Sequence, residues 1–191
     1  MKRLRIRLST ATLAFAVFGL LATTLTIVAL LAPRTGLAGS LGFAPVFELR
    51  ADTLARRANT DENARLGALG ETRRSLAQAP ANPTAWLRLA YLDSVSQQGL
   101  TGQGNRALAA SYAIAPYGPD VTTWRLAFAF NHWDSISADN RRAALDELPV
   151  TSSAAEGRSL LTQVSNPAGR IALSLSIETM ERERNATQRP V

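Results

Sequence analysis

His132 is the first residue to consider for chemistry, because it is the only histidine in a chain that has no cysteine. A zinc-type centre with several imidazole or thiolate ligands cannot be built from this set. A Ser-His-Asp arrangement would have to use His132, and its neighbour Asp134 diverges from it in direction along a helix. The glycines at positions 99–104 lack the preceding strand and the following Lys-Ser/Thr of a phosphate-binding loop.

The paired carboxylates of the sequence are also explained without catalysis. They fall at predicted helix starts or among arginines, where helix capping and surface charge account for them. These pairs are Asp61 and Glu62, Asp146 and Glu147, and Glu181 and Glu183. We therefore predict no catalytic residue, no cofactor and no metal site, and we expect that the protein is not an enzyme.

The amino-terminal segment combines a basic cluster with a long apolar run. Four of the first seven residues are Lys or Arg, and no charged residue occurs from Leu8 to Pro33. A helix crosses a hydrocarbon core of roughly 30 Å with about 20 apolar residues, so residues 9–32 are predicted to form a single transmembrane helix in the lipid bilayer. Because basic flanks stay on the cytoplasmic side, residues 1–8 form a predicted cytoplasmic arm. Cleavage as a secretory signal near Ala38 stays open.

The charge balance of the remaining chain argues against nucleic acid as a partner. Without the four basic residues of the amino-terminal arm, 21 − 4 = 17 basic residues face 15 acidic ones. A nucleic-acid-binding domain needs a basic stripe on its folded part.

Arginine outnumbers lysine twenty to one, which with abundant alanine is typical of a high-GC coding sequence. We therefore expect a bacterial inner-membrane protein whose carboxyl-terminal domain is periplasmic.

Beyond the apolar run, the chain divides into a linker, a domain and a tail. Residues 33–48 are rich in Gly, Pro and Ser and are predicted to be a linker. The apolar side chains at its end are expected on the bilayer surface or against the first helix of the domain: Leu41, Phe43, Val46 and Phe47. Residues 49–184 are predicted to form one all-α domain, and residues 185–191 a disordered tail.

Helix-start signals recur through residues 49–184. Each places a side-chain acceptor where it can satisfy orphan backbone N–H groups, and the nearby prolines sit where a missing N–H costs little. The acceptors are Thr60, Asn82, Asp120, Ser137 and Asn166, with Ser153 and Glu156 as a capping box. The residues from Ile171 to Ile177 alternate like a strand, yet Pro167 before them and the charged run after them favour a helix.

Prolines at positions 80, 116 and 149 close predicted helical hairpins at separations of 36 and 33 residues, which indicates a repeat. The first unit contains Trp86, Leu89, Ala90, Leu108 and Pro116, and the second contains Trp124, Ala127, Phe128, Ala144, Leu145 and Pro149. On these residues the chain resembles the tetratricopeptide repeat (TPR) family. The motif is degenerate, since Gly104 and Ser111 stand where the family has alanine. Helices at residues 153–164 and 167–184 are predicted to cap the array.

The resemblance implies protein binding, because TPR arrays hold peptides or partner domains on a concave face built from the first helix of each hairpin. Carried over by position, that face would include the candidate partner-binding residues Thr84, Leu87, Tyr91, Thr122, Arg125, Ala129 and His132. An arginine there would clamp a carboxylate, and Tyr91 would stack or hydrogen-bond. The alternatives, ordinary packing of Tyr91 and a solvated Arg125, stay open.

The aromatic residues of the repeat divide into core and candidate contact residues. Rings at repeat-equivalent positions bury large areas, so Trp86, Trp124, Phe128 and Tyr112 are predicted to fill the core between helices. Trp133 lies beside His132 at a predicted helix end, and it is a further candidate partner-binding residue.

Two functions agree with this interpretation. The first is a membrane-anchored periplasmic adaptor or scaffold for a cell-envelope assembly system, such as polysaccharide synthesis and export, pilus assembly or secretion. Tethering would raise the effective concentration of a weakly held partner without new contacts. The alternative is a structural accessory subunit held in an inner-membrane complex through its transmembrane helix. Both predict protein partners in the membrane or periplasm, and self-association of the array stays open.

Overall fold

Eight α-helices form the part of the chain that the computed structural model describes, which is residues 43–97 and 99–187. In chain order they are α1 (Ala44–Ala55), α2 (Glu62–Gln78), α3 (Pro83–Gln97), α4 (Gly102–Ile114), α5 (Pro119–Asn131), α6 (Ala138–Thr151), α7 (Ala154–Leu161) and α8 (Pro167–Thr187). No strand occurs among these residues, and the predicted all-α character of the domain is confirmed.

Consecutive helices pack in pairs, so that α1 and α2, α3 and α4, α5 and α6, and α7 and α8 form four helical hairpins. Neighbouring hairpins meet through α2 on α3, α3 on α5, α4 on α6, and α8 on both α5 and α6. The second and third hairpins repeat in register, since positions 83 and 119 at their starts both begin a helix with proline and differ by 36. The arrangement is compatible with a helical repeat.

Side-chain caps begin most of these helices, as the sequence predicts. The predicted acceptors that receive a backbone N–H are Asn82, Ser137, Ser153 and Asn166, and Ser153 forms the predicted capping box with Glu156. Helix α2 is capped by Asp61 rather than Thr60, because the Asp61 carboxylate accepts the Ala64 N–H at 3.0 Å. Gly118 precedes α5 and forms no side-chain cap, so Asp120 lies inside the first turn. The cap of α4 by Thr101 was not predicted.

Two clusters of buried side chains form the core. The larger one extends from α3 to α8 and includes Leu87, Leu108, Phe130 and Leu148. The smaller one joins α1, α2 and α3 through small residues such as Ala55 and Ala68, together with Leu92. Because alanine lets backbones approach closely, Ala55 and Ala68 allow the two helices of the first hairpin to pack tightly.

The predicted fold class, a single transmembrane helix followed by a TPR-like array, needs correction. None of the eight helices that the structure describes has both the length and the apolar composition needed to cross a membrane. The predicted cytoplasmic arm, residues 1–8, and the predicted transmembrane helix, residues 9–32, lie outside the described residues. What the structure supports is an all-α fold of eight helices.

Several helix boundaries differ from the predicted ones. Helix α1 begins at Ala44, inside the predicted linker 33–48, because Val46 and Phe47 are buried in the protein core and are not left for a bilayer. Helix α8 continues to Thr187, into the predicted tail 185–191. Pro149 lies within α6 and does not close it. Residues 171–177 are helical, as the flanking residues predicted.

Gly169 is a position where the fold depends on a missing side chain. A Cβ atom built on Gly169 in the first turn of α8 would lie 1.8 Å from the Phe130 carbonyl oxygen of α5, whereas one on Gly70 of α2 would meet nothing within 4 Å. We expect G169A to lower the free energy of unfolding by about 1–3 kcal/mol or more, because backbone atoms must move. The control G70A should raise it by about 0.5–1 kcal/mol. Urea unfolding followed by circular dichroism measures both, and equal effects would contradict the close packing of α8 on α5.

Candidate partner-binding face

An aromatic pair connects the second and third hairpins at the surface. The rings of Tyr91 on α3 and Trp124 on α5 meet edge to face, with centroids 6.4 Å apart and planes at 63°. Trp124 is 39% exposed, although the sequence placed it in the core. The Tyr91 hydroxyl donates to the Asn59 side-chain oxygen at 3.2 Å, which holds the ring from the first hairpin. The pair therefore presents one apolar surface held by three hairpins.

This pair borders a depression of about 280 Å³. Its lining residues come from the first helix of three successive hairpins and from Arg56, which directly follows α1. We call them the first-helix face: Asp52, Ala55, Arg56, Arg88, Tyr91 and Trp124. Both signs of charge lie beside the aromatic rings. Such a mixture of aromatic and arginine side chains is enriched in protein interfaces.

Arg88 forms the base of the first-helix face. It is 2% exposed, and its Nη2 donates to Glu48 at 3.0 Å and to Asp52 at 2.8 Å, both on α1. Ser75 of α2 donates to the same Glu48 carboxylate at 2.5 Å, so one partly buried polar cluster joins three helices. Nε and Nη1 of Arg88 have no hydrogen-bond partner among the described residues. The guanidinium is thus held mainly through one nitrogen.

Arg125, a predicted carboxylate clamp, is fully buried and cannot contact a partner. Its Nε donates to Glu147 at 3.2 Å and its Nη2 donates to the other oxygen of the same carboxylate. Nη1 donates to the Ser111 carbonyl at 3.1 Å and Nη2 to the Pro116 carbonyl at 2.9 Å. Both the clamp role and the alternative of a solvated charge are therefore wrong, because every nitrogen of this guanidinium is used inside the fold.

The partners of Arg125 share this burial. Glu147, predicted as surface charge, is fully buried and accepts the Thr122 hydroxyl at 2.9 Å. The Tyr112 ring lies against the guanidinium, with 4.1 Å from Cζ to the ring centroid. Burial raises the pKa of the Tyr112 hydroxyl far above its ordinary value, and the negative charge of Glu147 adds to the shift. The cluster is a polar core for α4, α5 and α6.

The structure places some of the other predicted contact residues in the core and others at the surface. Thr122, Leu87 and Ala129 are buried, which removes them from the surface as contact residues. Thr84 is half-buried near the start of α3. Tyr91 is the predicted residue that the structure places on the first-helix face. Phe128 and Tyr112 are in the core, as predicted, and Trp86 packs partly buried against it.

His132 and Trp133 lie at the end of α5, where both are half-buried. Nδ1 of His132 is 2.9 Å from the Phe128 carbonyl oxygen, so the proton of the neutral ring lies on Nδ1. Trp133 stacks on Phe130 with centroids 5.1 Å apart, and Arg141 lies 5.9 Å from its ring centroid. Contacts within the fold therefore explain why the rings of His132 and Trp133 are both half-buried.

Within residues 43–97 and 99–187, no three His, Asp or Glu side chains come together in a group that could hold a metal ion.

Comparisons with protein-family models, with curated proteins and with solved structures found no match to this chain. What the structure supports is therefore coarser than membership of the TPR family: an all-helical chain, rich in hairpins and compatible with a helical repeat.

His132 gives the fold a predicted pH dependence. Burial lowers the pKa of its imidazole below the ordinary 6.5, so the unfolded chain takes up this proton at a higher pH than the folded chain. The contribution of the neutral imidazole to the free energy of unfolding is fully present above about pH 6.5, and it is lost as the pH falls through the folded-state pKa. We expect H132Q to remove this part of the pH dependence of the urea midpoint between about pH 7.5 and pH 5. Parallel curves for the two proteins would contradict it.

Proposed function

We propose that the helical domain is a protein-binding adaptor of the TPR-like type. The observation that carries the proposal is the exposed edge of the Tyr91 and Trp124 pair, held between hairpins beside a depression lined by three first helices. Aromatic anchors next to arginine are the side chains that most often dominate binding energy at protein interfaces. A partner would place an apolar side chain against the two rings.

The repeat geometry supports the TPR-like part of the proposal. Helices α3 and α5 start 36 residues apart, and so do the caps of α4 and α6, Thr101 and Ser137. The second and third hairpins thus present their first helices in equivalent places, and the first-helix face draws residues from α1, α3 and α5. Stacked hairpins of this kind create extended surfaces for partners.

The charges around the aromatic pair would orient the partner. Asp52 lies in the last turn of α1 and Arg56 directly follows the helix; their side chains are largely exposed, with 3.9 Å between Nη2 and Oδ2. Exposed pairs of this kind contribute little stability, so Arg56 can exchange this contact for one with a partner, whereas Asp52 keeps its hydrogen bond with Arg88. Arg88 below them stays bound to α1.

The cellular setting in the proposal rests on the sequence alone. The basic residues and the uncharged run of the amino-terminal segment favour a cell-envelope assembly system, such as polysaccharide synthesis and export, pilus assembly or secretion. In that setting the domain would position other proteins of the system. Nothing among the described residues favours a second function over this one.

Replacement of Trp124 tests the proposal directly. We expect W124A, in the tagged full-length protein purified with crosslinking from its own host, to reduce the recovery of a stoichiometric partner by about tenfold or more, because interface anchors contribute about 2 kcal/mol or more. Quantitative mass spectrometry measures the recovery. L145A is a matched control, because Leu145 is 37% exposed but lies on α6, outside the face.

The outcomes separate the face from the function. Full recovery of the partner with W124A, in a protein whose circular dichroism is unchanged, would overturn the first-helix face. Equal loss of the partner with W124A and with the control L145A would show that the effect is not specific to the first-helix face. Purification of the wild-type protein without any partner, despite crosslinking, would overturn the adaptor function itself.

A further inference from the structure

A second and larger groove lies between α2, α3 and α4, with a volume of about 690 Å³. It is distinct from the first-helix face, although α3 contributes to both. Trp86 lines the groove and Tyr91 lines the first-helix face, and five residues along a helix correspond to a rotation of about 140°. Helix α3 therefore presents two surfaces in different directions.

The floor of this α2–α4 groove is apolar. Leu69, Trp86, Leu89 and Ala107 line it, and none of them carries a charge. The Trp86 ring nitrogen donates to the Pro80 carbonyl oxygen at 2.8 Å, so its one polar group is already satisfied within the chain. The ring is left as an apolar wall, suited to the side chain of a ligand rather than to a hydrogen bond.

The rim of the groove carries an excess of positive charge. Arg65 is paired with Glu62 through two hydrogen bonds of 2.7 and 2.6 Å. Arg73 and Arg106 are exposed, and neither has a carboxylate within ion-pair distance among the described residues. Two guanidinium groups are thus available across one groove, each able to bind a carboxylate through two parallel hydrogen bonds.

The acidic residue in this groove, Asp93, is engaged elsewhere. Its carboxylate accepts the Thr101 backbone N–H at 2.8 Å and the Thr101 hydroxyl at 2.9 Å, which fixes it at the start of α4. Gly104 leaves the space for this carboxylate, since a Cβ there would lie 2.2 Å from the Asp93 Oδ2 atom. Asp93 therefore does not pair with the free arginines.

We propose that the α2–α4 groove binds an acidic peptide segment of a partner protein. An apolar side chain of the segment lies on Trp86 and Leu89, and carboxylates of the segment pair with Arg73 and Arg106. Ser96, Gln97 and Gln103 line the same groove with neutral polar groups that can hydrogen-bond a peptide backbone. The inference goes beyond the proposed adaptor face, because it uses other residues and a ligand of defined charge.

Fluorescence anisotropy of a labelled peptide tests this groove in the full-length protein. The peptide alternates Glu and Leu over eight residues, and two comparison peptides replace either Glu by Gln or Leu by Ala. We expect R73E/R106E to raise the Kd of the Glu-Leu peptide at least tenfold, because two attractive contacts become repulsive. Both comparison peptides should bind more weakly, and added salt should weaken the binding of the Glu-Leu peptide.

Two control variants identify the site. R142E changes an exposed arginine on α6 outside the groove, and W124A removes the anchor of the first-helix face. Neither should change the Kd of the Glu-Leu peptide. Equal binding by R73E/R106E and the wild-type protein would overturn the proposal, as would the absence of binding at millimolar peptide. Loss of binding with W124A alone would contradict the proposal and place the acidic ligand on the first-helix face. Displacement of the peptide by a single-stranded oligonucleotide at lower concentration would also contradict it and would assign the arginines to a nucleic acid.

Discussion

The buried ion pair between Arg125 and Glu147 is the interaction on which the rest of the described structure depends. Two charges without solvent access are tolerated only when their hydrogen bonds are satisfied, and here carbonyl oxygens, hydroxyl groups and an aromatic ring complete the set. The arginine belongs to α5, the carboxylate to α6, and the Ser111 carbonyl to α4. The position of α5 relative to its neighbours is therefore set by directional bonds as well as by apolar packing. Because Trp124 is adjacent to Arg125, these bonds also fix where the exposed indole lies.

A related cluster around Arg88 fixes α3 against the first hairpin. Glu48 of α1 accepts bonds from both Arg88 and Ser75, so α1, α2 and α3 meet at one carboxylate. Arg88 thus fixes α3 against α1, and Arg125 fixes α5 against α4 and α6, so the helices that carry Tyr91 and Trp124 are each held by a buried arginine. A preformed surface of this kind loses little conformational entropy on binding, which favours affinity from a small contact area. The same arrangement leaves α3 shared between the first-helix face and the α2–α4 groove.

Local signals allowed much of the secondary structure to be predicted, and the register of the repeat explains the wrong placement of Trp124. Caps such as Asn82 and Ser137 act on their own helix, so their effect is visible in the sequence. The repeat motif aligns Trp124 with Trp86, 38 residues earlier, whereas the prolines that begin α3 and α5 are 36 residues apart. Trp124 therefore occupies the place of Arg88 on the first-helix face. The burial of Arg125 depends on Glu147, 22 residues away, and no local pattern shows that these two residues meet.

A double-mutant cycle on the buried pair tests the central claim most directly. The free energies of unfolding of R125M, E147L and R125M/E147L are compared by urea denaturation with that of the wild-type protein. The structure predicts that each single change costs about 3–5 kcal/mol, because one charge is left buried without its partner, and that the double change costs less than the two together by more than about 1 kcal/mol. The exposed pair of Arg142 and Asp139 is the control, with an expected coupling below about 0.5 kcal/mol. Additive costs for Arg125 and Glu147 would contradict the account.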